Sequence, residues 1–135
     1  MARAVLGMVA GIVAAFATVF AIDFAGHQIY PLPSDLDMHD PEAVGAFIRT
    51  MPAGGFALVV TAWFVGALDG GVVSALISRR AWTVWPVAAL VAAAGVVNVL
   101  MIPHPVLLQL GAVIAPLLGG FAASLVARKM LRDGG

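Results

Sequence analysis

One carboxylate stands in this sequence where everything around it reads as lipid-buried helix. Asp69 lies within the run Ala53 to Ile77, which carries no other charged residue. An acid near the centre of a membrane helix costs about 2.5 to 3.5 kcal/mol on insertion scales. Eleven Leu, Ile, Val and Phe residues between Ala53 and Ser78 offset it. Depth counting along the helix finds no basic residue beside Asp69, so three chemistries are open to it. It could bind a proton or cation on a transport path, or, as a neutral acid, donate to a carbonyl exposed by neighbouring glycines. The third is contact with another protein or a pigment. Asn98 is the second intramembrane polar candidate, expected to hydrogen-bond across to a neighbouring helix.

A second constellation gathers away from the membrane centre. His27, His39 and His104 are all the histidines of the chain. In a four-span arrangement they share one side with Asp23, Asp35, Asp37, Asp40 and Glu42. Imidazole and carboxylate together suit zinc, copper or nickel. No His-x-His or His-x₃-His spacing joins two imidazoles, so solvated loop residues are the expectation, with the three histidines as the only metal candidates. Asp23 and His27 are four apart, close enough to interact if the first helix continues that far.

Other motifs are absent. There is no phosphate-binding glycine loop, nucleophile elbow, paired-histidine metalloprotease signature or intramembrane histidine for haem. The chain has no cysteine, which excludes disulfides and thiolate sites. No cofactor and no enzymatic activity are expected, and the short basic ends are topology signals, not nucleic-acid patches.

The elements that must position these residues follow from composition. Hydrophobic residues make up 62% of 135 and charged residues 10%, with a mean hydropathy of +1.05. A spanning helix needs about 20 largely apolar residues, and four segments qualify: 4–22, 53–77, 81–102 and 106–127. The reading is a single all-α transmembrane domain over residues 1–135, with a loop over 23–52. Arg3, Arg79, Arg80, Arg128, Lys129 and Arg132 fall on one side and Arg49 alone on the other. The positive-inside rule then puts both termini in the cytoplasm and the loop outside. The first apolar run is longer than the roughly 7 to 15 residues of a signal-peptide core, so it is read as a retained span.

Within the loop, Asp40-Pro41-Glu42 supplies an N-cap, a first-turn proline and a carboxylate near the positive helix end. A short amphipathic helix should start there, with Ala43, Val44, Phe47 and Ile48 on one face and Glu42, Gly45 and Arg49 facing away, lying flat on the outer membrane surface or capping the bundle. Pro103-His104-Pro105 should make a tight turn between the third and fourth spans. Pro116 should kink the fourth span.

Small residues recur every fourth position in three spans. They are Gly7, Gly11 and Ala15 in the first, then Ala62, Gly66, Gly70, Ser74 and Ser78 in the second. The fourth has Gly111, Ala115, Gly119, Ala123 and Ala127. Such strips let backbones approach closely. Aligning the last two also aligns Gly70-Gly71 with Gly119-Gly120 and Arg79-Arg80 with Arg128-Lys129, which predicts two parallel helical hairpins related by a pseudo-two-fold.

No motif ties the chain to a characterised family. The alanine-, valine- and glycine-rich composition points to a bacterial cytoplasmic membrane. The expected function is that of a non-enzymatic structural or accessory module in the lipid bilayer, packing as a homo-oligomer or with a larger membrane complex. The alternative is a small secondary transporter or channel that uses Asp69.

Overall fold

The computed structural model describes residues 1–102 and 104–135. Those residues form α1 (Ala2–Ile29), α2 (Pro41–Arg49), α3 (Ala53–Ser78), a 3-10 turn (Ala81–Thr83), α4 (Val84–Met101) and α5 (Val106–Asp133), with no strand among them. Four helical stretches, Ala2–Ile29, Ala53–Ser78, Ala81–Met101 and Val106–Asp133, are long and apolar enough to cross a membrane. The chain is therefore a small membrane protein built as a helical bundle. Pro103, expected in the turn before α5, lies outside the described residues.

Two helices outrun their apolar cores. Nothing between Asp23 and Ile29 breaks α1, which stops at Tyr30, the residue that Pro31 restricts. The loop thus begins at residue 30, not 23. At the other end α5 continues past Ala127 to Asp133 and runs through the buried Pro116 without interruption.

Helix α3 is the hub of the bundle. Its buried residues come in adjacent pairs one turn apart: Ala62 and Trp63, Gly66 and Ala67, Gly70 and Gly71, Ser74 and Ala75. The first member of each pair lies on the α1 side. A methyl group added at Gly7 would come within 2.6 Å of the Ser74 carbonyl oxygen, and one at Gly70 within 2.6 Å of the Ala15 Cβ. The second members serve α5, where a Cβ on Gly71 would stand 2.9 Å from that of Ala123. Helices α1 and α3 run antiparallel, while α3 and α5 run parallel. Between α4 and α5 the contact is again close: a Cβ on Gly120 would lie 2.6 Å from the Ala88 Cβ. Gly95 backs onto the Ala112 carbonyl, the one that Pro116 leaves without a helical donor. With lipid outside, such contacts hold by dispersion between close-packed backbones and not by expulsion of water.

The two glycine pairs, aligned in sequence, are used differently. Gly70 meets α1, its own hairpin partner, whereas Gly119 meets α3 at the Phe64 carbonyl and Ala67. Gly71 faces Ala123 of α5 and Val84 of α4, whereas Gly120 faces α4 alone. A two-fold relation would have given Gly119 the α4 contact that Gly120 makes.

The chain direction places both termini at one end of the bundle with the Arg79-Arg80 turn. That basic end is tied by polar contacts. Arg3 Nε donates to the Ile77 carbonyl at 2.9 Å, capping the last turn of α3. Arg79 takes the left-handed conformation, φ 60° and ψ 31°, and ends that helix. The buried Ser78 and Thr83 hydroxyls stand 2.9 Å apart, Ser74 Oγ donates to the Thr83 carbonyl at 3.2 Å, and Thr83 Oγ1 donates to the Arg80 carbonyl at 2.8 Å. Trp82 and Trp85 stand exposed beside this corner.

At the opposite, acidic end lies α2, whose Val44, Phe47 and Ile48 help line a cavity beside α1, α3 and α4. The Asp40 carboxylate accepts from the Glu42 N–H at 3.0 Å, and Pro41 occupies the first turn. Val44, Gly45 and Ile48 are buried. Gly45 therefore lies on the inner face, contrary to the expectation that it turns outward with Glu42 and Arg49. At about 100° per residue it neighbours Val44 and Ile48, and having no side chain it is covered by theirs.

Candidate functional site

Asp69 stands on the outside of the bundle. Its neighbour Gly70 is fully enclosed against α1, yet Asp69 itself is exposed. It points away from Gly71, two residues on, which faces Ala123 and Val84. Its partner is the half-buried Thr18 of α1, whose Oγ1 donates to Asp69 Oδ2 at 2.6 Å. A carboxyl packed in the glycine groove and bonded to a backbone carbonyl, as depth counting suggested, is not what forms.

The cause is the direction in which helical side chains lean. Cα–Cβ bonds tilt toward the helix N-terminus. In an antiparallel pair the side chains of α1 and α3 therefore lean in opposite senses, and Asp69 reaches up to meet Thr18 reaching down. At the level of the Gly11 and Gly70 contact, Thr18 is seven residues further along α1, about 10 Å at 1.5 Å per residue, and that distance hid it from a count by Cα height. The available signal was the glycine register, which fixes how α1 and α3 are paired.

Chemically the pair is simple. One hydroxyl satisfies one carboxyl oxygen, and no base, nucleophile or cation adjoins it among the described contacts. Asp69 is not among the residues that line the cavity at the acidic end or the apolar groove between α3 and α5.

The other sequence candidates collect at the acidic end. A cavity of about 360 Å³ opens there between α1, α2, α3 and α4. Asp23, His27, Tyr30, Asn98 and His104 contribute its polar wall, and Phe16, Val19, Val59, Trp63 and Val91 line it more deeply. Asn98 is exposed, and no described hydrogen bond carries its side chain to a neighbouring helix, contrary to expectation. It sits in the last turn of α4 on the cavity side, while its neighbour Val99 packs against the Trp63, Leu108 and Ala112 cluster. The His104 Nδ1 lies 2.6 Å from the Ile102 carbonyl oxygen. A carbonyl only accepts, so Nδ1 is the donor in this contact. Tyr30 leans over the start of α3 and occupies the space a side chain at Gly54 would need.

The three histidines do not converge. His27 and His104 reach the cavity, while His39 sits in the 37–40 turn with its side chain 99% exposed and its Nδ1 3.5 Å from Asp37 Oδ1. Among the described residues no three metal-ligating side chains come together. The packing candidates Gly7, Gly11, Gly66, Gly70 and Ser74 lie at the α1–α3 contact, and Gly119 and Ala123 at the α3–α5 contact.

Thr18 and Thr83 were the residues sequence reasoning passed over, and Ser78 was read only as a small packing residue. A lone hydroxyl is common in membrane helices and uninformative until a partner is known. No family model matches the chain, and neither a curated protein nor a solved structure matches it.

Proposed function

We propose that this protein is a non-enzymatic assembly module that pairs with a second copy of itself in the membrane through the face carrying Asp69 and Thr18. The observation that carries the reading is the exposure of Asp69 at membrane depth with only one hydroxyl for company. A carboxyl left against lipid tails costs several kcal/mol, roughly 2.5 to 3.5 on insertion scales, and contact with another polar surface relieves it. The Thr18 hydroxyl is donated to Asp69 within one chain, and a two-fold axis that brings two such pairs together lets the hydroxyl of each copy serve the carboxyl of the other.

The flanking surface suits the same role. Ala14, Ala17 and Ala21 lie within about 100° of Thr18 around α1 and are at most partly covered, small side chains that let a second helix approach closely. The distribution of Lys and Arg supports an orientation with both termini and the Arg79-Arg80 turn in the cytoplasm and α2 outside, and the composition supports a bacterial cytoplasmic membrane. The sequence match between the second and fourth spans supports a parallel repeat in which the two glycine pairs serve different neighbours.

Mass measurement in mild detergent, by size exclusion with light scattering, tests the pairing. The wild type should elute with twice the 13.8 kDa chain mass. Asp69→Asn keeps a donor and an acceptor and should stay paired. Asp69→Leu should weaken pairing by about tenfold, within the roughly 0.6 to 2 kcal/mol measured for such contacts. A wild-type monomer, or pairing indifferent to Leu, refutes the proposal.

A further inference from the structure

The cavity at the acidic end has walls of a kind that favours one class of small molecule. Five aromatic side chains, Phe16, Tyr30, Phe47, Phe56 and Trp63, line it. Their ring faces are negative and attract cations. No lysine or arginine lines it, and Asp23 is its one carboxylate. None of the described side-chain hydrogen bonds engages that carboxylate, so its oxygens are open to a ligand. The Nδ1 of His104 is committed to the Ile102 carbonyl. Among the described lining residues Asp23 is the only carboxylate, with no lysine or arginine on the wall to pair with it.

The surrounding field has the same sign. Between residues 23 and 52 there are five carboxylates, Asp23, Asp35, Asp37, Asp40 and Glu42, against Arg49 alone, a net charge of −4 with histidine neutral. Such a rim concentrates cations at the mouth and repels anions such as fatty acids or phosphate head groups. The volume, about 360 Å³, lies within the range of small-ligand pockets, about 300 to 1,000 Å³. Met38 and Met51, also on the wall, are side chains that adapt to the outline of a ligand.

We infer that this cavity is a binding site for a small organic cation with an apolar body, an aryl- or alkylammonium, held by Asp23 and the aromatic wall. The ammonium sits at the polar rim near Asp23 and the apolar body enters toward Trp63 and Val91. Asp69 takes no part, so the inference stands or falls apart from the pairing proposed above.

The test uses one molecular skeleton with three head groups. The full-length protein in phosphatidylcholine nanodiscs is titrated calorimetrically with 3-phenylpropylamine, 3-phenylpropanol and 3-phenylpropionate, subtracting the signal of empty nanodiscs. The ammonium should bind saturably, one per chain, at least about tenfold more tightly than the alcohol, with the carboxylate weakest. Asp23→Asn, which preserves shape, should remove most of that preference. Asp133→Asn, a carboxylate exchange at the opposite end, should leave it intact. Signals no larger than those of empty nanodiscs, equal binding of ammonium and alcohol, or an Asp23→Asn variant with undiminished preference would each overturn the inference.

Discussion

The two ends of the same helix pair are built on opposite terms. From Gly7 to Gly66, α1 and α3 touch backbone to backbone, and every fourth residue of α3 is small. Beyond Gly66 the strips give way to Val19, Trp63, Phe56 and Tyr30, and the space these side chains fail to fill becomes the cavity. The basic end is further closed by Arg3 on the Ile77 carbonyl and by the Ser74, Ser78 and Thr83 hydroxyls. Small residues fix geometry and leave nowhere for a ligand. Large residues hold helices apart and leave room. Stability in this molecule therefore belongs to one end and capacity for binding to the other.

Glycine substitutions should break that contrast most sharply. At Gly11 a Cβ would collide with the Gly70 carbonyl and lie 2.6 Å from the Ser74 Cβ, and neither backbone can retreat. Gly11→Val should cost about 3 kcal/mol or more and abolish the folded protein's peak in detergent. At Gly26 the nearest atom is Leu58 Cδ1 at 3.6 Å, an ordinary contact. Gly26→Ala should be neutral, or stabilising by up to about 1 kcal/mol through helix propensity. Reversible unfolding in sodium dodecyl sulfate measures both.

The hydroxyl corner should give an intermediate effect. Thr83 is fully buried and bonded to both Ser78 and the Arg80 carbonyl, so Thr83→Val leaves the Ser78 hydroxyl and a carbonyl with fewer partners. The expected loss is about 1 to 3 kcal/mol in the same unfolding assay. The smallest effect is expected at Arg79, whose φ of 60° is unfavourable for a residue with a Cβ. Arg79→Gly should stabilise the α3 terminus by up to about 1 kcal/mol.

The sequence made one side of α3 legible. The strip Ala62, Gly66, Gly70, Ser74 and Ser78 stands out because every member is small, and α1 packs on it. The adjacent strip of Trp63, Ala67, Gly71 and Ala75 is equally buried, but Trp63 breaks the small-residue pattern and hides it. The N-cap at Asp40 was legible because capping is local chemistry. Gly45 was not, since a glycine carries no polarity to indicate its face. Asp69 announced itself by its charge, while its partner depended on how side chains lean between two antiparallel helices. The cavity could not be read at all, because its wall draws on residues from Phe16 to Leu108 that only the assembled bundle brings together.

The central claim is that the Asp69 and Thr18 face is where another copy packs, and a chain without cysteine allows a direct test. Single cysteines at Val65 and Val73, one turn to either side of Asp69, are oxidised in native membranes alongside a control at Leu117 on the exposed side of α5. Disulfide-linked dimers should form from position 65 or 73 and none from 117. Dimers from 117 alone, or no dimer from either position near Asp69, would contradict it.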